Sequence, residues 1–175
     1  MVREPTYGAH RRTLEKRPTV PSDEMLAHII GLLIGDGSFT TSLHNTGGLR
    51  RLQYKITIAL ARNEQNRFLL NLVRHCLGGI GSSVFNTRHY SEERGAYYDA
   101  VAWTVSAQVH VLWLAKLVYS SQLLRLSFRT SVRVIRMIEC IEGGFDHYGF
   151  MEKLGFPEGN RARLLSQPET VGVWP

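Results

Sequence analysis

A chain of 175 residues, 43% hydrophobic and 21% charged, is long enough to bury one core without disulfide or metal staples. Its longest apolar run, Met25 to Gly35, is too short to cross a bilayer and contains His28, so there is no candidate membrane helix and no membrane partner is expected. Two distant cysteines, Cys76 and Cys140, exclude a disulfide framework and read as reduced core thiols of an intracellular protein, while the net charge of +6 points to a polyanionic partner.

Residues 1–21 form a basic, arginine-rich arm with no apolar signal core. Pro21-Ser22-Asp23-Glu24 starts a helix: Ser22 can cap the free amides, and the two acids suit the positive end of the dipole. This helix runs to about Gly35 and stops at Gly37. A polar strand follows from Ser38 to about His44, and Asn45 to Gly48 is a turn. Arg51 to Leu60 alternates strictly, with Leu52, Tyr54, Ile56, Ile58 and Leu60 on one face and Arg51, Gln53, Lys55 and Thr57 on the other. That pattern is a half-buried antiparallel strand.

Asn63 to Leu77 is a second helix, with Phe68, Leu69, Leu72 and Val73 expected inward. Gly78-Gly79-Ile80-Gly81 ends it. Val84 to Tyr90 and Tyr97 to Val105 make a second hairpin. Ser106 to Tyr119 is an apolar helix, read as turning Val109, Leu112, Trp113 and Leu117 inward. Ser127 or Thr130 opens a fourth helix that reaches Glu142, and a short helix over 145–154 precedes a proline-punctuated tail, 156–175. The order α-β-β-α-β-β-α-α, with helices kept to one side of an antiparallel sheet, predicts an α+β domain over residues 22–155. The other sheet face stays polar and basic. A curved cationic ribbon of this kind can enter a major groove, or can simply be solvated.

The segment Ile29-Ile30-Gly31-Leu32-Leu33-Ile34-Gly35-Asp36-Gly37 carries the chemistry. Ala27, Gly31 and Gly35 are spaced four apart and share one helix face. Two glycines in a helix cost about 1 kcal/mol each relative to alanine, and close packing against a partner helix would offset that. The chain holds no second copy of this stripe, so the partner is expected to be the same helix of another subunit. Asp36 ends the helix, where the dipole is negative and an anion is disfavoured. A divalent cation with hard oxygen ligands, such as Mg²⁺, would relieve that penalty.

This segment, in this element order, resembles the signature of the LAGLIDADG homing endonucleases over about residues 22–142. The resemblance implies a curved-sheet fold in which two motif helices pack together, each supplying an acid that holds metal at a scissile phosphate. Asp36 matches that acid and the Gly35 carbonyl matches the neighbouring ligand; Ile34 stands where many members have a second acid. A single motif implies a homodimer that makes double-strand breaks with short 3′ overhangs. It also implies polar groups around the metals, for which Arg62, Gln65 and Arg129 are the candidates, with Arg125 beside the last. Candidate DNA readers are Ser38, Thr40, Ser42 and His44, then Arg51, Gln53, Lys55 and Thr57, then Asn86, Arg88 and Tyr98. The same resemblance admits a splicing maturase, whose partner is intron RNA, and a catalytically silent DNA-binding protein. Members are commonly encoded in organelle introns, so mitochondrion or chloroplast is the expected compartment.

Overall fold

The computed structural model describes residues 16–46, 49–91 and 95–142, without the side chains of 43–52. Most of the N-terminal arm, the helix expected over 145–154 and the tail lie outside the described residues. The elements are α1 (Asp23–Gly35), β1 (Gly37–Thr46), β2 (Leu49–Ala61), α2 (Glu64–Cys76), β3 (Phe85–Ser91), β4 (Ala96–Val105), α3 (Gln108–Tyr119), a 3-10 turn (Gln122–Leu126) and α4 (Phe128–Glu142). The strands form one curved antiparallel sheet in the order β1-β2-β4-β3, so two hairpins meet along β2 and β4. The helices pack on one face, as the alternation in β2 requires.

Ser22 caps α1 by accepting from the Met25 amide at 3.3 Å, and Asp23 and Glu24 occupy the first turn. The helix passes straight into β1 through Gly37. A Cβ there would lie 2.6 Å from the Leu33 Cα, so this approach of strand to helix needs glycine. In β2, Tyr54, Ile56, Ile58 and Leu60 are buried while Gln53, Lys55 and Thr57 face the other way. They meet Ile29, Ile30 and Leu33 of α1 and the inner faces of the other helices in one core. Trp103 of β4 lies at its centre, its indole N–H donating to the Ile80 carbonyl at 3.1 Å. Gly78, Gly79 and Gly81, all at positive φ, turn the chain between α2 and β3.

Two helix faces differ from expectation. In α2 the buried residues are Leu70 and Val73, continued by Leu77, whereas Phe68 is 71% exposed. Positions 70, 73 and 77 share one stripe, and Phe68 lies about 200° round the helix from Leu70. In α3 the inward set is His110, Val111, Leu114, Ala115 and Val118; Val109 is exposed and Leu112, Trp113 and Leu117 are half-buried. This helix is apolar nearly all round, so the sheet beneath it, and not its own period, selects the buried face. His110 is held by a contact of 3.1 Å between its Nε2 and the Lys16 carbonyl. The 3-10 turn is an addition to the expected elements. Ser127, rather than Thr130, caps α4, its hydroxyl accepting from the Thr130 amide at 3.3 Å.

Cys76 and Cys140 are free and half-buried, so they border the core instead of lying within it. Burial pushes the Cys140 thiol up, the Glu139 carboxylate adds to this, and Arg136 partly opposes it.

Candidate functional site

Asp36 sits at the end of α1, exposed, with its own amide donating to the Leu32 carbonyl at 2.8 Å. The last turn of α1 has no basic residue, and no ion pair to Asp36 forms among the described residues. The carboxylate therefore stands uncompensated at the negative end of a helix dipole. The terminal carbonyls of α1, Gly35's among them, have no intrahelical donor. Carboxylate and carbonyl are both hard oxygen donors, the chemistry that suits Mg²⁺ or Ca²⁺. No group of three or more His, Cys, Asp or Glu that could hold a metal occurs among the described residues. One chain thus offers a fragment of a coordination shell, and the donor set fits a cation completed by water, phosphate or a second carboxylate.

Ala27, Gly31 and Gly35 run along α1 on the side away from Ile29, Ile30 and Leu33. Both glycines are exposed, and a Cβ added to either meets nothing within 4 Å. Among the described residues the stripe is open at Gly31 and Gly35, while Ala27 is half-buried.

Gly37 pairs with Ile58, so Asp36 lies beside the rung of Ala59. Arg62 follows β2 at this same end of the sheet. Its amide donates to the Asp99 carbonyl at 3.1 Å, and its guanidinium lies 3.8 Å from the Asp99 carboxylate. Asp99 also takes Arg88 at 3.3 Å. Gln65 is exposed in the first turn of α2, a helix capped by Asn63, whose side chain accepts from the Asn66 amide at 2.7 Å. Arg129 is exposed in the first turn of α4, after the 3-10 turn that holds Arg125 and packs against α1.

The helix-free sheet face is set by register. Ser38 is opposite Thr57, Thr40 opposite Lys55, Ser42 opposite Gln53 and His44 opposite Arg51. Thr57 in turn faces Thr104, and their hydroxyls are 2.9 Å apart. These positions share one face with Tyr98, whose ring stacks on His89 at 5.8 Å.

Asn86 and Arg88 are not on this face, which corrects their expected placement. Asn86 pairs with Val101 and Arg88 with Asp99, positions that alternate with the open face. On the helix side Asn86 accepts from Arg67 of α2, and Arg88 meets Asp99. A slip of one residue exchanges the two faces of a strand. The groove is instead lined from this hairpin by Phe85, Thr87, His89, Ala102 and Thr104, beside Gln53, Lys55 and Thr57 of β2. Sequence reading passed over Phe85, Thr87, His89 and Thr104. The buried set Val101, Trp103 and Val105 would have fixed the parity of β4, but β3 has no apolar alternation of its own. With Arg88 on the helix side, Lys55 carries the positive charge of the groove among the described side chains.

No family model matches the sequence, and no curated protein does. Among solved structures, the chain superposes on I-SmaMI bound to its uncleaved DNA target in the presence of calcium ions with a TM-score of 0.50 at 13% identity, over 86% of this chain and 46% of that one. A double mutant of I-SmaMI gives a TM-score of 0.51 at 12% identity, over 81% and 42%. I-SmaMI is a LAGLIDADG homing endonuclease. The chain spans less than half the length of I-SmaMI, and what the two share is the fold.

Proposed function

We propose that this chain, built on the fold of the LAGLIDADG endonucleases, is a site-specific DNA endonuclease that cuts both strands of a duplex as a homodimer with divalent metal ions. One observation carries the proposal: an uncompensated carboxylate, Asp36, stands at the end of a helix whose outward face is a stripe of glycine and alanine. Two-fold packing of α1 on its copy would bring two Asp36 side chains together, one for each scissile phosphate.

In this reading Asp36 and the Gly35 carbonyl hold the cation, Mg²⁺ under cellular conditions. When bound, it stabilises charge on the attacking and leaving oxygens of the phosphate. Arg62, kept at the sheet end by Asp99, binds the phosphate; Gln65 and Arg129 are the further polar groups offered to the nucleophilic water. Ser38, Thr40, Ser42, Gln53, Lys55, Thr57 and Tyr98 face the duplex, and the positions of His44 and Arg51 continue the same face by register. No side chain needs to form a covalent intermediate.

The test is incubation of the purified chain with a randomised duplex library in Mg²⁺ and in chelator, followed by sequencing of the ends. Metal-dependent breaks in both strands, at related sequences and with 3′ overhangs, are expected. Binding of an enriched duplex with no cutting in any divalent ion would leave a silent DNA-binding protein. Rescue of intron splicing with no DNA cutting would leave a maturase.

A further inference from the structure

The open face of the sheet is not uniform. On β1 and β2 it carries hydroxyls, an amide and an ammonium: Ser38, Thr40, Gln53, Lys55 and Thr57. The rung level with Asp36 differs. It runs from Ala59 across Ala102 to Phe85, and none of these side chains can donate or accept a hydrogen bond. Ala102 is buried, whereas Phe85 keeps 42% of its surface exposed on the edge strand and lines the groove. At about 4.8 Å between strands, its backbone is roughly 14 Å across the sheet from Asp36. A phenyl ring offered to a groove of polar side chains makes van der Waals contact and no hydrogen bond, so at base edges it favours an apolar feature. On the major-groove edges of base pairs that feature is the C5-methyl group of thymine.

We propose that Phe85 is a specificity-determining residue that reads a thymine methyl group in each half of the target. The proposal rests on the reading of this face as a duplex-binding surface. Gain and loss of one methyl group then isolate it from the hydrogen-bonding contacts of β1 and β2. Duplexes are enriched from a randomised library in Ca²⁺, and thymine is replaced by uracil at each position of the enriched sequence in turn. The native protein is expected to lose about fourfold in affinity at one symmetry-related pair of positions, for each methyl removed, the factor for one buried methyl-sized group. Phe85→Ala is expected to bind the thymine and uracil duplexes alike there, and Phe85→Leu to retain part of the difference. If Phe85→Ala fails to fold, the native uracil scan and Phe85→Leu carry the test. Equal binding of all uracil duplexes by the native protein, or full discrimination kept by Phe85→Ala, overturns the role of Phe85 and leaves DNA binding intact. A library that yields no enriched duplex overturns the duplex-binding reading and the proposal with it.

Discussion

Replacing Gly31 by alanine separates two energies that the α1 stripe holds together. Gly31 lies inside a 13-residue helix, and the added methyl meets nothing within 4 Å among the described residues. The helix term then acts alone, and alanine should stabilise the folded monomer by about 1 kcal/mol. In a two-fold pair the same methyl enters the contact twice. Overpacking a close interface costs about 1–3 kcal/mol per site, whereas the helix term is present in both monomer and dimer and cancels from dissociation. The dimer should therefore weaken by at least about 2 kcal/mol, roughly thirtyfold in Kd. Urea unfolding at a concentration where both proteins are monomeric reads the first term, and sedimentation across a concentration series reads the second. A stabilised monomer with a weakened dimer is expected. A variant that is stabilised and dimerises as the native protein does, or a native protein that stays monomeric with its DNA, would refute α1 as the interface.

Lys55→Ala should flatten the log-affinity against log-salt slope for duplex DNA by about one, since it removes a phosphate contact from the open face. Arg88→Ala, on the helix side beside Asp99, should leave that slope unchanged; the reverse pattern would mean that the other face meets DNA. Gly37→Ala should destabilise the fold by more than about 1 kcal/mol in denaturant titration, because the new Cβ meets the Leu33 backbone of α1 at 2.6 Å. Burial of Tyr54, reinforced by Cys140, raises the phenol well above its ordinary value. The unfolded chain then releases this proton from about pH 10 while the folded one keeps it. That contribution to stability is complete below pH 10 and falls as pH rises, by up to about 1.4 kcal/mol per unit. Tyr54→Phe should have a shallower alkaline decline, measured by urea unfolding between pH 9 and 11, and an unchanged slope would remove Tyr54 as its source.

Sequence reading succeeded where one residue type or one period decides the outcome. The alternation from Gln53 to Leu60 separated the faces of β2 because hydrophobic burial acts on every second residue. Ser22 and Gly37 marked the ends of α1 because a free amide and a close backbone approach each restrict what fits. Reading failed where the deciding partner is distant in sequence. The face of β3 follows from its register with β4, which Thr87, Arg88 and His89 do not encode by themselves. The buried side of α3 depends on the sheet beneath it, and His110 is fixed by Lys16, 94 residues away. At the candidate site, the exposed position of Asp36 at the end of α1 was legible because Gly35-Asp36-Gly37 stops the helix there, whereas Gly35 entered as a ligand only through the family resemblance. The contact of Arg62 with Asp99 was not, since it requires β2 and β4 to be neighbours.

Asp36→Asn removes an exposed charge and almost no volume, so it separates metal-dependent cutting from DNA binding. Binding to the enriched duplex and cutting in Mg²⁺ are measured side by side on the native and variant proteins. Duplex affinity within a few-fold of native is expected, with double-strand cutting abolished. Cutting by Asp36→Asn at the native rate would contradict the role of Asp36 as metal ligand.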